Sequence, residues 1–298
     1  MDILNFIQQV VNGISVGSMY ALIAIGYTMV YGVLRLINFA HGEIMMVGAF
    51  AAFMAMGVWG LPLFIAIIIA ISFAILTGVL TDKIAYKPLR SAPRISLLIT
   101  AIGVSFFLQN TINVFVGGTA RSFPVAPFFD KVITINSIVF TPTLIIVPVI
   151  TLSLLAILLF VLHKTKYGMA IRALAFDIKT VSLMGVNSNQ IISLVFVIGS
   201  SLAAVGGIFW ALSYPILTPY IGIMIGLKAF AAAVLGGIGS VSGALIGGFI
   251  LGFAEVMFVA FYPEAGGYRD AIAFIFLILV LLVKPTGIMG INFEKSRF

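Results

Sequence analysis

Cysteine is absent from the 298-residue chain, and charged residues make up only 8% of it. The first absence excludes disulfide bonds, thiolate chemistry and zinc sites built from cysteine, and it leaves the redox compartment open. The second excludes an ordinary soluble domain, in which about a quarter of the residues are charged.

Motifs for nucleotide and metal chemistry are also missing. Glycine is never followed by lysine, so the chain has no P-loop to hold nucleotide phosphates. His41 and His163 are the only histidines, and neither has the spacing of a zinc helix or the context of a Ser-His-Asp triad. We therefore expect a protein that is not an enzyme, with no catalytic residue, no metal site and no cofactor of its own.

Long apolar runs dominate the sequence. Hydrophobic residues make up 62% of the chain, and the mean hydropathy is +1.25. Runs of about 20 residues are long enough to cross about 30 Å of hydrocarbon as helices, and the short alternating segments of a membrane barrel do not occur. Because lipid offers no partner to a free backbone amide, the sequence predicts an all-α, polytopic membrane bundle of about eight to ten helices, forming one domain over 1–298.

Nine segments are predicted to span the membrane. Two of them, 43–57 and 222–236, are short and flanked by glycine and polar residues, a pattern typical of discontinuous helices. The nine segments are 10–34, 43–57, 61–82, 95–116, 139–162, 190–212, 222–236, 241–261 and 270–284.

Basic residues predict the orientation, since loops rich in lysine and arginine face the cytoplasm. Two connections hold most of these residues, namely Lys83, Lys87, Arg90 and Arg94 in the first and Lys164, Lys166, Arg172 and Lys179 in the second. The tail adds Lys295 and Arg297, whereas the loops assigned to the other side carry only Arg121, Lys131 and Arg269. We predict the N-terminus outside and the C-terminus inside, and we read the net charge of +7 as a record of orientation and not as a nucleic-acid site.

A weak internal repeat is predicted, covering about 10–116 and 190–284. A shift of 199 residues lays GEIMMVGAF over VSGALIGGF, and it also lays INFA over GGIG. Whether the two halves are parallel or inverted stays open. Small residues spaced four apart, as in SGALIGGFILG and at Ala203 and Gly207, predict close helix packing inside the subunit or, alternatively, a subunit interface.

The segment LINFAHGE at 36–43 puts polar residues between two apolar runs. One interpretation is a turn at the inner surface, beside Arg35. The other is a helix break at membrane depth, in which Asn38 and His41 satisfy unwound backbone, Gly42 permits the bend, and Glu43 favours the positive end of the next helix. The short following span favours the break, and Tyr27, Asn38, His41, Gly42 and Glu43 become candidates for the translocation path.

Other polar residues lie within predicted spans. Lys228 is near enough to a helix end to extend its amine to the membrane surface, or it packs within the protein. Glu255 lies deeper, where an ion pair with Lys228 or a hydrogen bond to a neighbouring backbone would stabilise it. Both are also candidates for the path. Gln109, Asn110 and Asn113 either line a vestibule or, as we favour, cross-link helices.

The loop 163–190 contains an amphipathic pattern. Ile171, Leu174, Ile178 and Val181 fall on one face of a helix, and Gly185 is a natural helix stop. From the pattern alone, the apolar face either lies in the lipid interface or binds a groove on a partner protein.

Four blocks carry a resemblance to a known family. They are ALIAIGYTMVYGVLRLINFAHGEIMMVGA, YKPLRSAPRISLLITAIGVSFFLQN, RALAFDIKTVSLMGVNSNQI and LKAFAAAVLGGIGSVSGALIGGFILGFAE. In order and over nearly the whole chain, they resemble the permease subunit of branched-chain amino acid ABC importers, the LivH type of the bacterial inner membrane. Phe176 is a departure, because relatives often have an acidic residue there.

The resemblance implies partners and a coupling site. The expected partners are a second permease of the LivM type, two cytoplasmic ABC ATPases that use ATP, an extracytoplasmic substrate-binding protein and membrane lipid. The resemblance also implies an ATPase-coupling segment at about 164–189. Its expected contact residues are Arg172, Ala173, Ala175, Asp177 and Gly185.

The function expected from this resemblance is half of the translocation path for branched-chain or other hydrophobic amino acids, driven by ATPases in trans. One alternative is a permease for urea or short amides, although such permeases usually carry extra extracytoplasmic sequence. Another is a self-contained secondary transporter, which would need intramembrane carboxylates such as Glu43 and Glu255 for ion coupling.

Overall fold

The computed structural model describes residues 3–135 and 138–290, and these residues form a helical membrane bundle. The predicted all-α, polytopic fold is confirmed. Within the described ranges, strands are limited to four pieces of two or three residues. Lys295 and Arg297, which entered the orientation argument, lie outside the described residues.

The described residues contain eleven α-helices, numbered in chain order. They are α1 Ile3–Leu34, α2 His41–Phe53, α3 Leu63–Leu80, α4 Arg94–Val116, α5 Pro142–Lys164, α6 Lys166–Phe176, α7 Ile178–Leu183, α8 Ser188–Ser213, α9 Ile221–Gly236, α10 Val241–Phe261 and α11 Arg269–Val283. Strand β1 Arg121–Ser122 pairs antiparallel with β4 Ile216–Leu217, and β2 Ile133–Ile135 pairs antiparallel with β3 Ile138–Phe140.

Eight helical segments of the described chain are long and apolar enough to cross a membrane. The one predicted span outside these eight, 222–236, corresponds to α9, a shorter apolar helix of 16 residues. Helix α2 continues as a π-helical segment over Met54–Val58. The predicted short helices at 43–57 and 222–236 are therefore present as α2 and α9.

Helix α1 lies at the centre of the bundle, and glycines bring α10 against it. A Cβ atom on Gly248 would lie 2.5 Å from the Cα of Ala21, and one on Gly252 would lie 2.4 Å from the Cα of Gly17. Gly247 approaches the backbone of Ala232 on α9 in the same way. These small residues therefore pack helices within the subunit, as one of the two predictions stated, and they are not available as a subunit interface.

Contacts between helices fix their relative directions. Gly26 and Ile23 of α1 meet Gly199 and Gly206 of α8, so these two helices are antiparallel. The same reasoning makes α10 antiparallel to α1 and to α9. The connections between consecutive helices give the remaining directions: α1, α3, α5, α9 and α11 run one way, and α2, α4, α8 and α10 run the other way.

Helix order and direction define an inverted repeat of α1–α4 and α8–α11. In each unit a long helix is followed by a break, a short helix and two further helices, and every corresponding pair runs in opposite directions. The starts of α2 and α9 are 180 residues apart, and those of α3 and α10 are 178 apart. The predicted shift of 199 residues was wrong, because it aligned the glycines of α2 with those of α10.

The two ends of the bundle differ in composition. One end holds α6 and α7, together with Arg35, whose Nη2 donates to the carbonyl oxygen of Ala175 at 3.3 Å. We call it the α6–α7 end. Lys87, Arg90 and Lys164 also lie there, where α3 and α5 finish and α8 begins. The other end holds β1–β4 and the connection between α10 and α11.

Candidate functional site

The N-termini of the two short helices meet inside the bundle. A Cβ on Gly42, in the first turn of α2, would lie 2.2 Å from the carbonyl oxygen of Gly222 and 2.8 Å from the Cα of Gly226, both in the first turns of α9. Gly42 is not among the glycines with positive φ. Its role in the structure is therefore close backbone approach between α2 and α9, and the predicted role in the bend stays a prediction.

The break between α1 and α2 starts at the exposed Arg35 and then enters the protein, where Leu36, Asn38 and Ala40 are buried. The His41 ring touches Gly26 and hydrogen-bonds the backbone of Ile23, and Gly26 precedes the end of α1 by eight residues, or about 12 Å along a helix. Asn38 is buried, and its Oδ1 accepts a hydrogen bond of 2.7 Å from the Tyr86 hydroxyl. Asn38 and His41 therefore do not lie in a surface turn, although Arg35, at the start of the break, is exposed at the α6–α7 end as the surface-turn interpretation expected. The predicted role of Asn38 and His41 in satisfying the unwound backbone was wrong, because their side chains contact α1 and Tyr86.

Glu43 lies in the first turn of α2, as predicted, with its side chain 1% exposed. Its Oε1 accepts hydrogen bonds from Gln109 Nε2 at 2.7 Å and from Ser105 Oγ at 3.2 Å, both on α4. Its Oε2 has no hydrogen-bond partner among the described residues. The predicted helix cross-link by Gln109 is confirmed, whereas Asn110 is exposed and bonds only the carbonyl oxygen of Phe106 on its own helix.

A second buried cluster surrounds Glu255 on α10. Lys228 Nζ lies 2.8 Å from Glu255 Oε1 and 3.2 Å from the Tyr20 hydroxyl. Tyr20 donates to Glu255 Oε2 at 3.0 Å. Arg269 forms an ion pair with Glu255, and Asp270 forms one with Lys228. The cluster joins α1, α9, α10 and the start of α11.

The predicted ion pair between Lys228 and Glu255 is confirmed. Lys228 is only 5% exposed, so of its two predicted alternatives packing within the protein is correct, and extension of the amine to a membrane surface is wrong. The reason is that the amine pairs with the carboxylates of Glu255 and Asp270. Tyr27 contacts the His41 ring edge-on, with centroids 5.5 Å apart, and its buried hydroxyl has no partner among the described residues.

A cavity of about 740 Å³ opens at the end of the bundle opposite α6 and α7. It lies between α1, α5, α10 and the connection before α5. Its polar lining includes Asn12, Ser15, Thr143 and Arg269. Because Arg269 also pairs with Glu255, the cavity floor adjoins the second cluster.

The segment predicted to couple to ATPases forms two helices, α6 and α7. Ile171, Leu174 and Val181 of the apolar stripe are buried and Ile178 is half-buried, and α6 packs against α5, α8 and α1. Neither predicted location for the stripe, lipid interface or partner groove, is correct, because the stripe packs on the protein's own bundle. The exposed apolar side chains here are instead Phe176 and Leu183, with Met184 next to it.

Asp177 separates the two helices and caps the second. Its Oδ1 accepts from the backbone N–H groups of Lys179 at 2.9 Å and Thr180 at 3.3 Å, and its Oδ2 accepts from the Thr180 hydroxyl at 2.6 Å. These hydrogen bonds, that of the Thr180 hydroxyl first, hold the pKa of the Asp177 carboxyl below its usual value. Gly185 follows with φ of +86°, which confirms the predicted helix stop. Arg172, Ala173 and Ala175 lie on the same short helix pair.

A third polar cluster at the α6–α7 end was not predicted from the sequence. Asp82 is buried, forms an ion pair with Arg90 and accepts a hydrogen bond of 2.9 Å from Ser193 Oγ. Arg90 also donates to Asn189 at 2.8 Å. The cluster therefore fixes the end of α3 against the start of α8, immediately after α7.

Comparisons with known proteins agree on one family. The family model described as "Branched-chain amino acid transport system / permease component" matches residues 9–281. The high-affinity branched-chain amino acid transport system permease protein BraD of Pseudomonas aeruginosa is 43% identical over 97% of each chain. The corresponding permease protein LivH of Salmonella typhimurium is 45% identical over 96% of each chain.

Similarity also extends to more distant proteins. The ribose import permease protein RbsC of Haemophilus influenzae is 27% identical over 85% of this chain and 75% of its own length. Among solved structures, PsaBC from Streptococcus pneumoniae in complex with Fab has a TM-score of 0.51 at 16% identity, covering 92% of this chain and 91% of that chain. At this identity the likeness concerns the fold alone.

Proposed function

Because the chain belongs to the family of branched-chain amino acid transport system permease components, we propose that it forms half of the translocation path of an ABC importer for branched-chain, hydrophobic amino acids. The observation that carries the proposal is the sequence identity of 43–45% to permease proteins named for branched-chain amino acid transport, over 96–97% of both chains. The inverted repeat supports it, since transport sites commonly lie where discontinuous helices of two repeats meet.

The energy source in this proposal is supplied in trans. The chain has no P-loop, so ATP is bound and used by two partner ATPases, and the permease itself holds no cofactor. A second permease of the LivM type completes the path, and an extracytoplasmic binding protein delivers the amino acid. The alternatives, a permease for urea or short amides and a self-contained secondary transporter, become outcomes of the test below.

The surface proposed for ATPase docking is the exposed side of α6 and α7. Phe176 and Leu183 are 75% and 90% exposed, so they offer apolar contacts, while Arg172 and Asp177 offer charged ones. The buried stripe beneath them supports this role, because it would transmit a displacement of α6 and α7 to α5 and α8. The small side chains of Ala173 and Ala175, and the missing side chain of Gly185, would allow an ATPase to approach the backbone closely.

The basic residues support an orientation in which the α6–α7 end faces the cytoplasm of a bacterial inner membrane. Lys87, Arg90, Lys164 and Lys179 lie at this end. The N-terminus of α1 is then outside and the end of α11 inside. The cavity of about 740 Å³ consequently opens toward the binding protein.

Reconstitution tests the proposed function directly. We expect proteoliposomes that contain both permeases, both ATPases and the binding protein to accumulate leucine when ATP is supplied on the side of the membrane where the ATPases lie. Leucine uptake by this chain alone, driven by a proton or sodium gradient, would contradict the ABC proposal. Transport of urea or acetamide in preference to leucine by the complete complex would contradict the substrate assignment.

Gly185→Val is expected to weaken coupling to the ATPases. A β-branched residue is strained at φ of +86°, and a residue forced into this region costs about 1–3 kcal/mol, so the end of α7 should rearrange. We expect normal membrane insertion, at least a several-fold loss of ATPase co-purification and a parallel loss of uptake. Gly185→Asn, which tolerates positive φ, is the matched control. Wild-type uptake in Gly185→Val would remove Gly185 from the coupling site.

A further inference from the structure

We propose that Glu43, Ser105 and Gln109 form a subsite that binds the primary ammonium group of an apolar amino acid during transport. This inference rests on the proposed function, because it names the part of the substrate that the junction of α2 and α9 recognises. Three observations carry it: an unpartnered carboxylate oxygen, a cavity beside it, and apolar walls on the other sides of that cavity.

The unpartnered atom is Glu43 Oε2. The carboxylate is 1% exposed, and only Oε1 is satisfied, by Gln109 and Ser105. A buried carboxylate oxygen without a partner costs free energy, and native structures rarely retain one without a function. Glu255 provides the contrast, because Tyr20, Lys228 and Arg269 surround it. Glu43 therefore has an unpaired acceptor, and because Oε2 lies against Gly222 in the first turn of α9, a movement of α9 would open it to a cationic donor.

The neighbouring cavity has a volume of about 170 Å³, whereas one water needs only about 10–15 Å³. It lies between α2, α4 and α9, with Glu43, Ser105 and Gln109 as its polar lining. The remaining lining is mostly apolar and includes Phe39, Ile102, Phe106, Ile223 and Leu227. Few polar groups among apolar walls are typical of a site for a small ligand with one charged end.

The location of the cavity suits a transient transport site. It adjoins the point where the N-termini of α2 and α9 meet, at Gly42 and Gly226. The positive ends of the two helices stabilise the Glu43 carboxylate when no ligand is bound. A movement of α9 relative to α2 would change the distance from Ile223 and Leu227 to Glu43, so that the ammonium group is held in one state and released in the other.

The absence of cysteine makes the proposal testable by site-specific labelling. Ile223→Cys, on the cavity wall, is treated in the assembled complex with a cationic aminoethyl or an anionic sulfonatoethyl methanethiosulfonate. We expect the cationic reagent to react faster. We also expect Glu43→Gln to reduce that preference about tenfold, equivalent to about 1.4 kcal/mol. Glu264→Gln, which removes an exposed carboxylate, is the matched control. Phe107→Cys, exposed on α4 outside the cavity lining, should not show the preference.

Protection by substrate supplies the second measurement, and it keeps Glu43 unchanged in case Glu43→Gln does not assemble. Excess leucine should slow labelling of Ile223→Cys, whereas isocaproate, which has the same carbon skeleton and carboxylate without the ammonium group, should not. Equal protection by both compounds, or a reagent preference that survives Glu43→Gln, would overturn the ammonium subsite. No reaction with either reagent would also overturn it, since a transport site must be reached from water.

The two failures can be told apart by leucine uptake. If the wild-type complex transports no branched-chain amino acid, the proposed function fails whatever the labelling shows. If the wild-type complex transports leucine and Glu43→Gln transports it equally well, only the subsite fails. Glu43→Asp, which keeps the charge on a shorter side chain, is expected to retain the reagent preference with reduced uptake.

Discussion

Glu255→Leu is expected to lower the free energy of unfolding by about 3–5 kcal/mol, because it removes the anion that pairs with two cations in the bundle. Lys228 would remain 5% exposed with only Asp270 as an ionic partner, and the Tyr20 hydroxyl would lose its acceptor. Unfolding of the purified chain in detergent, followed by intrinsic fluorescence or circular dichroism, measures the change. Glu264→Gln is the matched control, with an expected change near zero.

A double variant tests whether the loss arises from uncompensated charge. Adding Lys228→Met to Glu255→Leu removes the buried amine, and replacement of a buried ion pair by apolar residues is often neutral or stabilising. We expect the double variant to recover most of the lost stability. If Glu255→Leu alone unfolds like the wild type, the cluster does not stabilise the junction of α9, α10 and α11. If Lys228→Met gives no recovery, the loss arises from packing and not from charge.

Hydropathy predicts most of this fold, because the requirement for satisfied backbone in lipid leaves long helices as the only simple solution. The short helices α2 and α9 were also predictable, from their length and their glycine and polar flanks. The correspondence of α2 with α9 in the repeat was not predictable. Small residues recur every four positions in several of the helices, so their patterns can be aligned in more than one register. Only the order and direction of the helices show that α9 is the counterpart of α2.

The polar sites were partly predictable. The ion pair of Lys228 with Glu255 was one of the two solutions predicted for Glu255, since a charge is unstable in lipid without a partner. The partner of Glu43 was missed, although Ser105 and Gln109 are four residues apart and so lie on one face of α4. That spacing was the available signal. The contact of Tyr86 with Asn38 and that of Asp82 with Ser193 join positions far apart in sequence, and no local pattern specifies them.

The amphipathic segment at 171–181 shows the limit of periodicity. The stripe correctly predicted which side chains share a face. It did not predict what covers that face. Lipid, a groove on a partner protein and the protein's own helices all favour the same apolar residues. The cap at Asp177, which divides the segment into α6 and α7, was the missed signal for two helices instead of one.

Gly42→Ala is expected to separate the N-termini of α2 and α9. The new Cβ would lie 2.2 Å from the carbonyl oxygen of Gly222 and 2.8 Å from the Cα of Gly226, and backbone atoms cannot rotate away as a flexible side chain can. Overpacking of this kind costs about 1–3 kcal/mol, occasionally more. We expect a loss of at least this size in unfolding experiments, together with loss of leucine uptake by the reconstituted complex.

Gly103→Ala is the matched control, because Gly103 lies inside α4 and its Cβ would meet nothing within 4 Å. Removing a glycine from a helix interior at such a position gains about 0.5–1 kcal/mol, so the two substitutions should have opposite signs. Wild-type stability and uptake in Gly42→Ala would show that α2 and α9 move apart at little cost, and the close contact would then not fix the position of Glu43. Wild-type stability with lost uptake would instead show that the contact is dispensable for folding but required when the two repeats move during transport.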